Sequence, residues 1–457
     1  MAGGQSNGAP VGHGLVKVLR RRSVAPLPAQ FVIPTPADRP TTDGDPRVAA
    51  AIAVLADRAA LLQRAGGGSL LDCFAAIPDP RSKRGVRHEL PTILGLCTAA
   101  VLSGCVSLVE ITDWVTHADQ ELLGALGARH DPTGHVPPYP DTIERVFRAL
   151  GAQGLADHTG AYLGRRAGLG PVGAPLAVPV LLPALAIDGK AVRGAIGSDG
   201  QIPYLLAAAT HTDSTVIAER LIGAKSNEVP EFAPLLQGLP LGGWVLTIDA
   251  AHTVRAHAHF ITQELLAHYV MIVKQNTKGL FQRLNNLDWA GVPVAHRSVD
   301  TGHGRHEVRT IQVMDAPADL RFPHAAQVFL LKRYTTRNIR KQVKNSRRYK
   351  TIQVKTAVAV LGVTSLSSKE AAPEHLATYA RRHWSIENKI HWVRDVTFRE
   401  DESRTRERIL ANNLSWLRRF AVTLLKRHPI KDSIRGKMIR CLMNTQFLDE
   451  VLTLQGD

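Results

Sequence analysis

Cysteine is scarce in this chain of 457 residues: Cys73, Cys97, Cys105 and Cys441 are its only four, and no two stand in a C-x-x-C pair. That spacing excludes a zinc ribbon and a disulfide framework, and a reduced, cytoplasmic protein fits. Acidic residues are also in deficit. Asp and Glu number 40 against 56 Lys and Arg, a net charge of +16, the footprint of a protein that neutralises phosphates, though one shared by other basic proteins. A secretory leader is not expected, because no compact apolar run and small-residue cleavage site follow Arg20, Arg21 and Arg22. Two charge-free runs, 90–109 and 168–187, approach the length that spans a bilayer. The second is broken by Pro171, Pro175, Pro179 and Pro183, and the first reads as two buried helices meeting at a turn near Ser103 and Gly104. No membrane span is therefore expected. There is no internal repeat of solenoid length either.

What is present is too long for one core, so two or three domains are expected. Residues 1–65 are expected to be a disordered arm with a short helix starting at Pro46, and 66–165, with apolar residues at helical spacing, an all-α domain. A proline-spaced linker at 166–183 leads into a different grammar. Strands are expected at 184–188, 204–210 and 215–222, a helix at 229–236, a strand at 244–249, a helix at 253–267 and a strand at 269–274. That order is α/β, an RNase H-like mixed five-stranded sheet in which the first and fourth strands are neighbours. A β-rich insertion at 290–365 precedes a helix near Pro373, the catalytic region closes at about 430, and 431–457 is a helical tail.

Two of those strands end in an acid. Asp188-Gly189-Lys190 with Arg193 combines a hard oxygen donor with cations that suit a phosphate substrate; a β-turn Asp after an edge strand is the plainer alternative. Asp249, before Ala250-Ala251-His252-Thr253, repeats the design and equally suits a helix N-cap, with His252 structural. A third acid is sought on a downstream helix. At 3.6 residues per turn His383, Glu387, His391 and Arg394 share one face, and Tyr379, Ile386, Ile390 and Val393 form another able to pack on the sheet. A solvated polar face, or a zinc site of His383, Glu387 and His391, would use the same residues.

Around these acids the chain resembles the DDE transposases of the ISAs type, the H-repeat-associated proteins. The similar stretches are Leu71-Asp72 with Ile77-Pro78-Asp79-Pro80-Arg81, Arg84-Gly85-Val86-Arg87-His88, Asp141-Thr142 with Arg145-Val146, Lys225-Ser226-Asn227-Glu228 and His303-Gly304-Arg305. The last runs from His383-Trp384 through Glu387-Asn388 and His391-Trp392 to Glu400-Asp401. The chain departs from the pattern at Val254, where the family has Gln, and at Lys274-Gln275-Asn276-Thr277. The resemblance implies a catalytic, metal-holding triad of Asp188, Asp249 and Glu387 on two Mg²⁺ ions, with Mn²⁺ as a substitute. It also implies insertion-sequence terminal repeats and target DNA as double-stranded partners, and a homodimer on DNA. DNA contacts are expected from Lys190, Arg193, Lys225 and Arg305; from Arg337, Arg340, Lys341, Lys344, Arg347 and Arg348 in the acid-free run 332–350; and from Arg381, Arg382, His383, Trp384, Lys389 and Arg394. A DNA-binding relative without catalysis and an RNase H-like repair or resolution nuclease are the competing readings.

Overall fold

The computed structural model describes residues 69–84, 86–173, 178–193, 196, 200, 202, 204–222, 228–302, 304–342 and 349–453. The expected arm and short helix, and the expected contacts Lys225, Lys344, Arg347 and Arg348, lie outside the described residues. Helices come first: α1 (Leu70–Ala75), α2 (Leu90–Leu102), α3 (Leu108–Thr116), α4 (Gln120–Ala125), α5 (Pro140–Ala149) and α6 (Ala152–Arg166). Ser69 and Asp72 close a reciprocal capping box on α1, and Ser107 caps α3. Almost every residue of α2 is buried, so the charge-free run is an interior helix, and Gly104, at φ +110°, makes the turn that follows it. Among the described residues no helix is long and apolar enough to cross a membrane.

The sheet strands are β1 (Ala184–Ala191), β2 (Tyr204–Thr210), β3 (Val216–Ile222), β4 (Val245–Ile248), β5 (His268–Val273), β6 (His296–Gly302), β7 (Arg305–Asp315), β8 (Gln327–Gln342) and β9 (Tyr349–Thr364). They lie in the order β3-β2-β1-β4-β5-β9-β8-β7-β6. β1 is parallel to β4 and β4 to β5; the other pairs are antiparallel. This mixed α/β architecture is consistent with an RNase H-like transposase fold. The sheet is wider than the five strands expected of the core: β9 bonds to the free edge of β5 through Leu361–Val273 and Thr364–Val270, so the β-rich region continues it to nine strands.

Helices cover both faces. α7 (Glu228–Leu236), α8 (Arg255–His259, continued by a π-helical turn at Phe260–Glu264) and α9 (Lys278–Asn285) lie on the face bearing Leu185, Ile187, Leu246 and Met271. On the other face α10 (Pro373–His383) places Leu376 and Tyr379 against Ala184, Val245 and Val270. After a π-helical turn at Glu387–His391 come α11 (Trp392–Val396), α12 (Arg408–Arg427), α13 (Ile434–Met443) and α14 (Thr445–Thr453).

The last three helices pack with the first six. α12, α13 and α14 share one apolar core with α1 to α6. Trp416 stacks on Phe420 with centroids 5.4 Å apart and donates its indole N–H to Thr159 Oγ1 at 2.9 Å; Asn413 Nδ2 donates to the Phe147 carbonyl at 2.7 Å. The helical region is thus built from both ends of the chain.

Candidate active site

β1 and β4 are parallel neighbours in the register Ile187–Ile248, so Asp188, inside β1, and Asp249, just past the end of β4, stand at the same level on adjacent strands. Asp249 accepts the Ala251 N–H at 2.8 Å and caps the turn Ala250–His252, so the capping job is real and occupies one carboxylate oxygen. Above the strands the patch Ala186, Ala207, Ala209 and Val216 receives Ile386 and Ile390. Small side chains let the helix approach closely, and Glu387, next to Ile386, then comes near enough to act on Asp188.

Electrostatics report the same convergence. Burial pushes Asp188 up to about 8, and the carboxylates of Glu387, Asp249 and Glu228 push in the same direction, against one stabilising bond from the Gly189 N–H. Glu228 has no role in the sequence reading beyond its place in the Lys225 to Glu228 stretch. It begins α7, accepts from His252 Nε2 at 3.2 Å, and lies so close to Gly189 that a Cβ there would stand 2.7 Å from its oxygens. His391, weighed in the sequence only as a zinc ligand, is the other neighbour: its Nδ1 is 3.5 Å from Asp188 Oδ2, and burial together with Arg394 and Lys190 holds the ring far below the usual histidine range, at about 3.

The helical face expected over 383–394 is rearranged. α10 ends at His383, and the wider turn Glu387–His391 shifts the register of α11 behind it. His383 is buried and meets the Thr247 hydroxyl at 3.0 Å, which His211 reaches from the other side at 2.8 Å. Burial holds His383 down at about 4 and His211 at about 3. His383 therefore belongs to the packing beneath the site. Among the described residues no three His, Cys, Asp or Glu side chains stand close enough, as placed, to grip one ion. His383, turned to the Thr247 hydroxyl, is not offered as the zinc ligand the alternative reading needs. The carboxylate set fits hard divalent cations by its chemistry: oxygens only, and mutual repulsion around Asp188 that a cation would relieve.

A family model described as the transposase DDE domain matches residues 181–424, more than half of the chain. The chain belongs to the DDE transposases. A second model, described as DDE_Tnp_1-associated, matches residues 71–163. The chain is similar to "Putative transposase YncI" of Escherichia coli O157:H7, 27% identical over 84% of this chain and 94% of the relative. It is also similar to "H repeat-associated putative transposase YhhI" and "Putative protein YbfL" of Escherichia coli (strain K12). These are 27% and 28% identical, each over 85% of this chain and 98% of the relative. The protein is thus an H-repeat-associated DDE transposase, an enzyme of DNA; DDE transposase domains generally use divalent metal ions.

Three of the transposase's expected DNA contacts are placed inside the protein, a correction to the sequence reading. His383 is one. Lys190 is 6% exposed and pairs with Asp395 at 2.6 Å and Glu400 at 3.1 Å. Arg394, 1% exposed, pairs with Glu400 at 2.9 Å and donates to Ser415 Oγ at 2.6 Å. Burial alone would raise Glu400, but Arg394, Lys190 and Arg418 outweigh it and hold the carboxyl down at about 2. These cations neutralise a buried anion, and their charge is not offered to a surface.

The remaining described candidates, Arg193, Arg305, Arg337, Arg340, Lys341, Arg381, Arg382, Trp384 and Lys389, are exposed. Arg305, Arg381, Trp384 and Lys389 line a groove of about 360 Å³ with Lys332 and Arg333 of the acid-free run, and with Arg309, to which the sequence reading gave no DNA contact. Arg333 lies over the Trp384 ring at 5.8 Å. Arg381 also pairs with Asp300 at 2.8 Å, and Arg309 with Asp300 and Glu307, so part of the charge is compensated.

Proposed function

We propose that Asp188, Asp249 and Glu387 are the catalytic carboxylates of this transposase and hold two Mg²⁺ ions, with Mn²⁺ able to replace them. The enzyme then binds the terminal repeats of an insertion sequence as a homodimer, hydrolyses a strand there and joins the freed 3′-hydroxyl to target DNA. The observation that carries this reading is the shared level of Asp188 and Asp249 on neighbouring strands beneath Glu387, with mutual repulsion recorded at Asp188. Bound ions would supply polarisation of the phosphodiester and activation of the attacking oxygen. The chain's own part is to hold three oxygens in place: Asp188 and Asp249 by the sheet, Glu387 by the Ile386 and Ile390 anchor. His391, neutral at working pH, keeps Asp188 company without competing as a cation. The exposed cations of the groove would hold the diester's backbone. In this reading β1 to β5 are the RNase H-like core of a catalytic domain at 184–430, β6 to β9 its insertion, 66–165 the associated helical domain, 166–183 the linker and 431–457 the tail.

Asp188→Asn is expected to abolish Mg²⁺-dependent cleavage of the DNA flanking the gene while leaving binding to that DNA intact. Retained cleavage by the purified variant refutes the assignment. Cleavage that depends on DNA structure and never joins strands marks a repair or resolution nuclease instead.

A further inference from the structure

β8 and β9 outrun the sheet that carries them. β7 accompanies β8 only as far as the pair Arg305–Arg337, and β5 touches β9 only at Leu361 to Thr364. Beyond that point five pairs, Asn338–Gln353 through Gln342–Tyr349, bond only to each other. At about 3.3 Å per residue they form a two-stranded ribbon about 17 Å long, with every residue except the half-buried Ile339 and Ile352 exposed among the described residues. Such a ribbon, with strands about 4.8 Å apart, enters a DNA major groove about 12 Å wide and 8.5 Å deep.

The two faces differ. One continues the surface of Arg333, Val358 and Val360, which lines the cationic groove beside Trp384. The opposite face carries Asn338 opposed to Gln353 and Arg340 opposed to Thr351, all exposed. Among the described residues neither the Asn338 nor the Gln353 carboxamide has a hydrogen-bond partner. Arg340 lies over the Tyr349 ring at 5.5 Å, which limits where its guanidinium can point. No acidic residue occurs between Asp319 and Glu370, so nothing on the ribbon repels a polyanion. Carboxamides and guanidinium are the groups that read adenine and guanine edges in pairs of hydrogen bonds.

We propose that this ribbon enters the major groove of duplex DNA, and that the face bearing Asn338, Arg340, Thr351 and Gln353 reads base sequence, the specificity element of the transposase. This rests on the reading of the protein as one that binds its element's ends. It does not rest on the carboxylate site, so it is tested by binding alone, in a chelator, with the full-length Asp188→Asn chain.

The probes are the 50 or so base pairs flanking the gene on either side and a scrambled duplex of equal composition. Adding Asn338→Ala with Gln353→Ala is expected to weaken binding to the flanking duplex about tenfold to a hundredfold, leaving the scrambled duplex and the salt slope unchanged. Lys341→Gln with Lys350→Gln, at the ribbon's end, is expected to weaken both duplexes alike and lower the salt slope by about 2. Equal loss on both duplexes from the carboxamide variant, or no loss on either, overturns the proposal, as does a parent chain with no preference for its flanking DNA. A change of oligomeric state in the carboxamide variant, measured by light scattering, also overturns it, because the ribbon would then be a contact between copies.

Discussion

Glu400 is fully enclosed and faces Lys190, Arg394 and Arg418 at once. Paired charges out of water hold together only while the set is complete. Lys190→Met should therefore act on stability and leave DNA affinity's salt dependence alone. The expected loss is about 3 kcal/mol in urea unfolding, at the low end for breaking a buried pair because Arg394 and Arg418 still face the anion. An unchanged unfolding midpoint with a salt slope reduced by one would return Lys190 to the DNA surface. The same pairing ties β1, one residue pair beyond Asp188, to the segment after α11, so the residue supports the site from behind.

Elements are positioned by side chains smaller than the ones they receive. Ala207 faces Asp188 across the β1–β2 ladder and belongs to the patch that seats Ile386 and Ile390. Ala207→Leu adds three carbons where the helix already touches the sheet, expected to cost about 1–3 kcal/mol and to displace Glu387. Cleavage should fall while DNA binding holds; full cleavage by a folded Ala207→Leu chain would show that Glu387 need not sit there. Much of this was legible in the sequence. The apolar runs closed by Asp188 and Asp249 mark β1 and β4, although β1 continues three residues past its acid to Ala191, and β1 to β5 fall within a few residues of where periodicity puts them. The turn Glu387–His391 is not legible, since a widened turn is decided by what the helix packs on. Nor is Lys190's interior position, whose partner Asp395 is 205 residues away. β8 and β9 are longer than the apolar segments 328–331 and 354–361 suggested, because their free ends are polar on one face and carry little hydrophobic alternation.

Among the described residues burial lowers seven histidines, four of them far: His211 and His391 to about 3, His257 and His383 to about 4, with His88, His259 and His268 moved the same way. In the unfolded chain each takes a proton near pH 6.5, which the folded protein refuses until lower pH. As pH falls below 6.5 the unfolded state therefore binds more protons, and stability is lost through that window. Asp188, raised to about 8, works the other way between pH 3.8 and 8, and burial raises Asp395 as well, but the histidines outnumber the two. The denaturation midpoint is expected to drop between pH 7 and pH 5; a flat or rising profile would mean the histidines are solvated.

The joint core of the first six helices and the last three bears on synthesis. While a ribosome is still translating the catalytic region, Phe74, Leu94 and Phe147 have already emerged and lack the partners that Trp416, Phe420 and Val451 will bring. A copy of the gene interrupted by an early stop codon therefore yields no finished helical module, only a nascent fragment with a bare greasy flank, fit for proteolysis and unfit to compete with the intact enzyme.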